Sequence, residues 1–316
     1  MTSWTAFAAI TGVVLIVLLV LSHFTQSAFD EIDLEDVTDD SSDADDTSVA
    51  ERERDDAVER DAEGEPATTN TAPTAPEPAA DRRGIDPDEN VAPDATEPNR
   101  QRRPQTREDG IDPDALTTGA VLANVAVSQG LFALVLVGAV VYTGVPADAL
   151  GIEFSRAYLE TGLIVGTAVG IVLYLANEVG AALATRLGFD HDEQLRELLA
   201  PDTGRGWVAL LGGVLPLIAV FEELLFRAAL IGALSVGFGV SPWLLAVASS
   251  VAFALGHGMQ GDVGVVVTGL LGFVLAAVFI VTGSFLVVVV AHYLINAFEF
   301  VVHEGIELEW ARTLES

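Results

Sequence analysis

Between Leu116 and about Val302 the chain is almost continuously apolar, broken at intervals of roughly twenty residues by short polar or glycine- and proline-containing turns. In hydrocarbon every backbone N–H and C=O must be satisfied within the protein, and an α-helix does this inside one segment. The run therefore predicts helices near 117–143, 160–185, 205–235, 242–258, 263–282 and 284–302. The expected fold class is all-α: a polytopic membrane bundle of about six core transmembrane helices. Small residues recur inside these segments, as in AVGIVLYLANEVGAALAT and TGLLGFVLAAV, and allow helices to approach closely.

Two unlike regions precede that bundle. Trp4 to Leu21 is apolar over about the length of a hydrocarbon core. It lacks the positive n-region and small-residue cleavage site of a signal peptide, so 1–27 is expected to be a retained, separate N-terminal transmembrane anchor, detached from the core. Residues 28–115 change character. The stretch 29–116 holds 29 acidic residues and 9 arginines, with scattered Pro, Thr and Ala. So little apolar surface cannot offset chain entropy, and a disordered acidic linker is expected. Its repeated pentapeptide GIDPD, at Gly84–Asp88 and Gly110–Asp114, reads as turn chemistry. The expected division is completed by a membrane-helix domain at 116–303 and a polar C-terminal tail at 304–316.

Composition removes several function classes. The net charge of −31 argues against nucleic-acid binding, which needs cation clusters. The partner expected instead is membrane lipid. All 15 basic residues are arginine, and with the acid excess this points to a salt-adapted, halophilic protein. Without cysteine there is no disulfide, cysteine nucleophile or thiolate metal site, and without lysine no Ser–Lys dyad. Arginine placement around the helices puts the linker and C-terminus in the cytoplasm.

Within this apolar sequence, Val220–Leu230 reads VFEELLFRAAL. Each charge in a bilayer costs a few kcal/mol, so intramembrane ionisable groups face a protein interior and tend to be functional. Glu223 and Arg227 are four apart and can pair on one helix face. Pro216, six residues before Glu222, is expected to kink the helix and open space beside it. Phe253 and His257 are four apart in FALGHG, as are His292 and Asn296 in HYLIN. Two carboxylates, two imidazoles, an amide and a guanidinium thus enter one membrane interior. Peptide hydrolysis needs such a set: a desolvated carboxylate or imidazole to deprotonate water, and fixed donors for the oxyanion. The other use of a glutamate with two histidines is a divalent metal site, zinc for example, and the cofactor stays open between the two.

The three motifs EExxxR, FxxxH and HxxxN, each in a separate transmembrane helix, resemble those of the CPBP intramembrane proteases. These are relatives of the CAAX-processing Rce-type endopeptidases and of bacteriocin-processing and immunity proteins. The motifs stand here as Glu222-Glu223-Leu-Leu-Phe-Arg227, Phe253-Ala-Leu-Gly-His257 and His292-Tyr-Leu-Ile-Asn296, and the overall aspect is haloarchaeal-like. The resemblance covers about 116–302. It implies an intramembrane endopeptidase acting on a membrane-associated or prenylated protein or peptide. Glu222 would be general base on water with His257 assisting, His292 and Asn296 would form the oxyanion site, and Glu223 and Arg227 would support it. In a metal-dependent version, Glu222, His257 and His292 would be the ligands. The contrasting expectation is a non-catalytic membrane scaffold or immunity-type protein that keeps the fold. Asn177 and Glu178 are expected to be structural, Glu299 to touch the rim of the site, and His303 and Glu304 to lie in a solvated tail.

Overall fold

The computed structural model describes residues 2–27, 118–186, 196 and 199–306. The expected acidic linker falls outside these residues. The described chain forms seven main helices: α1 Trp4–Ser27, α2 Thr118–Thr143, α3 Arg156–Arg186, α4 Gly204–Phe238, α5 Pro242–Leu255, α6 Gly261–Thr282 and α7 Phe285–Phe300. A further turn, Val301–Gly305, continues α7. Six of these helices are long and apolar enough to cross a membrane. The exception is α5, whose 14 residues span about 21 Å, short of a hydrocarbon core of about 30 Å. It was expected to run on to 258; instead Gly256 and the short 3₁₀ turn Gly258–Gln260 end it and free His257 from the helix.

Large apolar side chains cover the outside. Leu134, Val141, Ile164 and Val247 are each more than half exposed. Such a continuous apolar surface would drive a soluble protein to aggregate and is what a lipid environment stabilises.

The first helix is separate in sequence but not detached in space. Phe7 and Val14 are buried in one cluster with Leu136, Ala139, Phe221, Leu225 and Phe253. The Ser3 amide donates to the Thr143 carbonyl, and a Cβ on Gly237 would lie 2.6 Å from the Trp4 ring, so glycine there lets α1 approach α4. Near its other end the Ser22 hydroxyl and Gln26 amide donate to the carbonyls of Gly256 and Gly258. Hence α1 runs antiparallel to α2 and alongside α5. Ser27 and Thr118, which flank the acidic segment, fall at one end of the bundle.

The helix that carries the two glutamates is irregular. Leu210–Val214 and Leu224–Ala233 are π-helical, and Leu215–Glu223 between them is α-helical. Proline at 216 cannot donate an i→i−4 bond, and a wider π turn stands immediately before it. The second π segment begins immediately after Glu223 and carries Arg227.

α3 packs on α7 through three glycines one turn apart. A Cβ at Gly162 would meet Leu286 at 2.5 Å, at Gly166 Val290 at 2.7 Å, and at Gly170 Leu294 at 3.0 Å. Where lipid and protein are equally apolar, this close approach is the main source of helix–helix attraction. Gly166→Leu is therefore expected to push α3 off α7. Its thermal midpoint in lipid nanodiscs should fall well below that of Gly180→Leu, because Gly180 has no neighbour within 4 Å.

Candidate functional site

α4, α5 and α7 bring the motif residues together. Glu223 and Arg227 are 0 % and 1 % exposed, and Arg227 Nη1 donates to Glu223 Oε1 at 2.8 Å. Arg227 Nη2 donates to the Gly272 carbonyl at 3.0 Å, which ties α4 to α6. A Cβ on Gly272 would lie 2.9 Å from the Phe253 ring, so the glycine keeps that carbonyl in reach. Glu223 Oε1 also accepts from His292 Nδ1 at 2.7 Å. One carboxylate oxygen therefore joins the guanidinium to the imidazole.

His292 Nε2 faces the neighbouring glutamate: Glu222 Oε2 is 3.5 Å away, and Glu222 Oε1 is 4.0 Å from His257 Nε2. Glu222 is 9 % exposed and His257 is the most open of the group. The Phe253 carbonyl lies 2.7 Å from His257 Nδ1. A carbonyl only accepts, so Nδ1 carries a proton and Nε2 is left pointing toward Glu222. Likewise His292 Nδ1–H is committed to Glu223. Both rings are thus oriented from behind with Nε2 toward one carboxylate.

Phe253 is the packing centre of the site. Arg227 sits over its face at 4.7 Å, Phe226 meets it edge-on at 5.0 Å, and His257 and His292 lie 4.4 and 6.1 Å from it. The phenylalanine of the FxxxH motif therefore touches the guanidinium and both imidazoles. Asn296 stands one turn beyond His292 on α7, half-buried.

The geometry fits water activation: a carboxylate and an imidazole 4.0 Å apart leave room for one water bonded to both at about 2.8 Å. The donor set of Glu222, His257 and His292 also fits a divalent ion chemically, with each Nδ1 held by an oxygen acceptor as metal-bound histidines require. Those three ligand atoms are not drawn within 4.8 Å of one another; among the described residues Glu178, Glu299 and His303 are.

That second group was not legible as a unit in the sequence. Glu178 was expected to be structural, and it does bond His303 Nε2 at 3.0 Å. Glu299 was expected at the rim of the main site; its recorded partners are instead Arg196 at 3.0 Å and His303 at 4.0 Å. The expectation that His303 and Glu304 form a solvated tail is corrected. The π turn Val301–Gly305 carries them past the end of α7, where Glu304 accepts from Arg196 at 2.7 Å and both residues are half-buried. The clue was the spacing Glu299–His303, four apart, opposite Glu178. The contribution of α1 to the His257 turn, through Ser22 and Gln26, also had no sequence signal.

Neither the curated proteins nor the solved structures contain a match to the chain. Residues 204–298, which hold all three motifs, match the family model described as type II CAAX prenyl endopeptidase Rce1-like, and over that segment the chain is similar to the CAAX protease family.

Proposed function

We propose that the protein is an intramembrane endopeptidase that hydrolyses a peptide bond with water activated by Glu222. One observation carries this: a buried carboxylate with the Nε2 atoms of two pre-oriented imidazoles turned toward it, at 3.5 and 4.0 Å, inside a membrane bundle. The family match suggests intramembrane CAAX protease activity, which makes a membrane-associated or prenylated protein or peptide the substrate class.

Water bonded between Glu222 and His257 loses a proton to Glu222 as its oxygen attacks the scissile carbonyl. The carbonyl π pair moves to oxygen. The oxyanion is stabilised by the Asn296 amide and by an Nε2–H of His292. Collapse restores the carbonyl and breaks the C–N bond, and Glu222 returns the proton to the leaving nitrogen. Glu223 and Arg227 fix His292 and do not touch substrate. Should a divalent ion take part, Glu222, His257 and His292 would hold it and it would supply Lewis acidity to the carbonyl or to water. The bundle end that carries His257, Ser27 and Thr118 is proposed to face the cytoplasm.

Comparing the membrane proteome of cells that carry wild type with that of cells carrying Glu222→Gln tests the proposal. Precursors that persist only in the variant support it. Identical peptide profiles, with both proteins repairing the defect of a deletion strain, would instead indicate a scaffold.

The α1 contacts give a separate expectation. Ser22 and Gln26 fix the two carbonyls that flank His257. The double variant Ser22→Ala, Gln26→Ala should lower kcat several-fold with KM nearly unchanged and the thermal midpoint lower by only several degrees, because two half-buried hydrogen bonds contribute about 1 kcal/mol each. Equal loss in kcat and thermal midpoint would make α1 a general structural element.

A further inference from the structure

A second cluster lies where α3 and α7 finish. Glu178 on α3, Glu299 on α7 and His303 on its terminal turn each place a ligand atom within 4.8 Å of the other two. His303 Nε2 is 3.0 Å from Glu178 Oε1 and 4.0 Å from Glu299 Oε1. Arg196 donates to Glu299 and Glu304. Three carboxylates thus share one guanidinium and one imidazole. Among the described residues the carboxylates outnumber the cations, and all three carboxylates are largely removed from water.

A second observation points to a ligand. Tyr174, one turn before Glu178 on α3, is 7 % exposed, yet among the described residues its buried hydroxyl has no hydrogen-bond partner within 3.5 Å. Its ring packs on Phe298 at 5.4 Å, beside Glu299, and the phenol lies within electrostatic reach of both Glu178 and Glu299. Glu299 Oε2 is buried and, among the described residues, unpartnered as well. An unpaired buried oxygen is costly. A cation shared by the cluster satisfies both oxygens, directly or through its coordinated water, and offsets the surplus charge.

We propose that Glu178, Glu299 and His303, with Tyr174 beside them, form a divalent-cation site that fastens α3 to α7 away from the Glu222 centre. One imidazole nitrogen with carboxylate oxygens suits Zn²⁺ and also Mn²⁺. Binding replaces the proton that His303 Nε2 shares with Glu178. The site joins helices on opposite sides of the glycine contact, and α7 carries His292, so occupancy stiffens the support of the main site from its far end.

Full-length protein in lipid nanodiscs, stripped with a chelator, is dialysed against buffered Zn²⁺, and bound zinc and thermal midpoint are measured. Wild type should take up zinc and melt higher with it. Glu222→Gln combined with His257→Ala should retain both responses, which separates this site from the proposed catalytic one. Glu178→Gln combined with His303→Ala should weaken binding by at least about a hundredfold and abolish the thermal shift. Glu299→Gln keeps the side-chain shape and an acceptor for Arg196; it serves as the folded control and should also weaken binding. No uptake by wild type, or uptake that follows Glu222 and His257 instead, overturns the proposal.

Discussion

Glu222→Gln is expected to lower peptide hydrolysis by about 10²–10⁴-fold, the range of a lost general base. Glutamine has the shape of glutamate and can still accept from an imidazole N–H, but its amide cannot take a proton from water. Glu222 is not bonded to Arg227, so the ion pair below it survives. The thermal midpoint should stay within a degree or two, because a polar isostere without a lost partner has a small effect. A fall in stability matching the fall in rate would place Glu222 in the structure and not in the reaction.

Arg227→Ala has the largest expected effect on stability, about 3–5 kcal/mol, because it leaves the buried carboxylate of Glu223 with no cation on its α4 side. Two further contacts go with the guanidinium, the Gly272 carbonyl and the Phe253 face, and the chain Arg227–Glu223–His292 is broken. Activity is lost with it. The informative comparison is Arg227→Lys, which keeps the charge but cannot reach Glu223 and Gly272 from one planar group. It should recover part of the thermal midpoint and less of the rate. If Lys restores both fully, only charge matters at 227 and the two-way clamp is unnecessary.

Much of this was legible before any coordinates, for definite physical reasons. Apolar runs of membrane length specify helices because hydrocarbon permits little else. The i, i+4 pairs Glu223–Arg227, Phe253–His257 and His292–Asn296 announce shared faces because helical geometry is fixed. Three charges in the segment Glu222–Arg227 stand out because each is costly there. The structure adds that Glu223, expected to be a supporting partner, is the bond between Arg227 and His292.

Other features were hidden. The docking of α1 leaves no amphipathic pattern, since lipid and protein neighbours are both apolar. The contact that decides it, Gly237 against the Trp4 ring, joins residues far apart in the chain. The glycines at 162, 166 and 170 did carry a period-four signal, which composition alone did not isolate. The Glu178–His303 bond spans 125 residues and could not be read from either segment. The shortness of α5 follows from one glycine at 256, and no hydropathy window resolves the end of a helix so finely.

The most direct test of the central claim uses purified full-length protein in nanodiscs, a mixture of prenylated and unprenylated C-terminal peptides, and water enriched in ¹⁸O. Mass spectrometry then reads the new carboxyl terminus. The account predicts that wild type produces a fragment carrying one ¹⁸O from water and that Glu222→Gln, equally folded, produces none. An equal yield of the labelled fragment from both proteins would contradict the assignment of Glu222 as the base. Wild type that leaves every peptide intact, while the membrane proteomes of wild-type and Glu222→Gln cells are also the same, would contradict proteolysis itself.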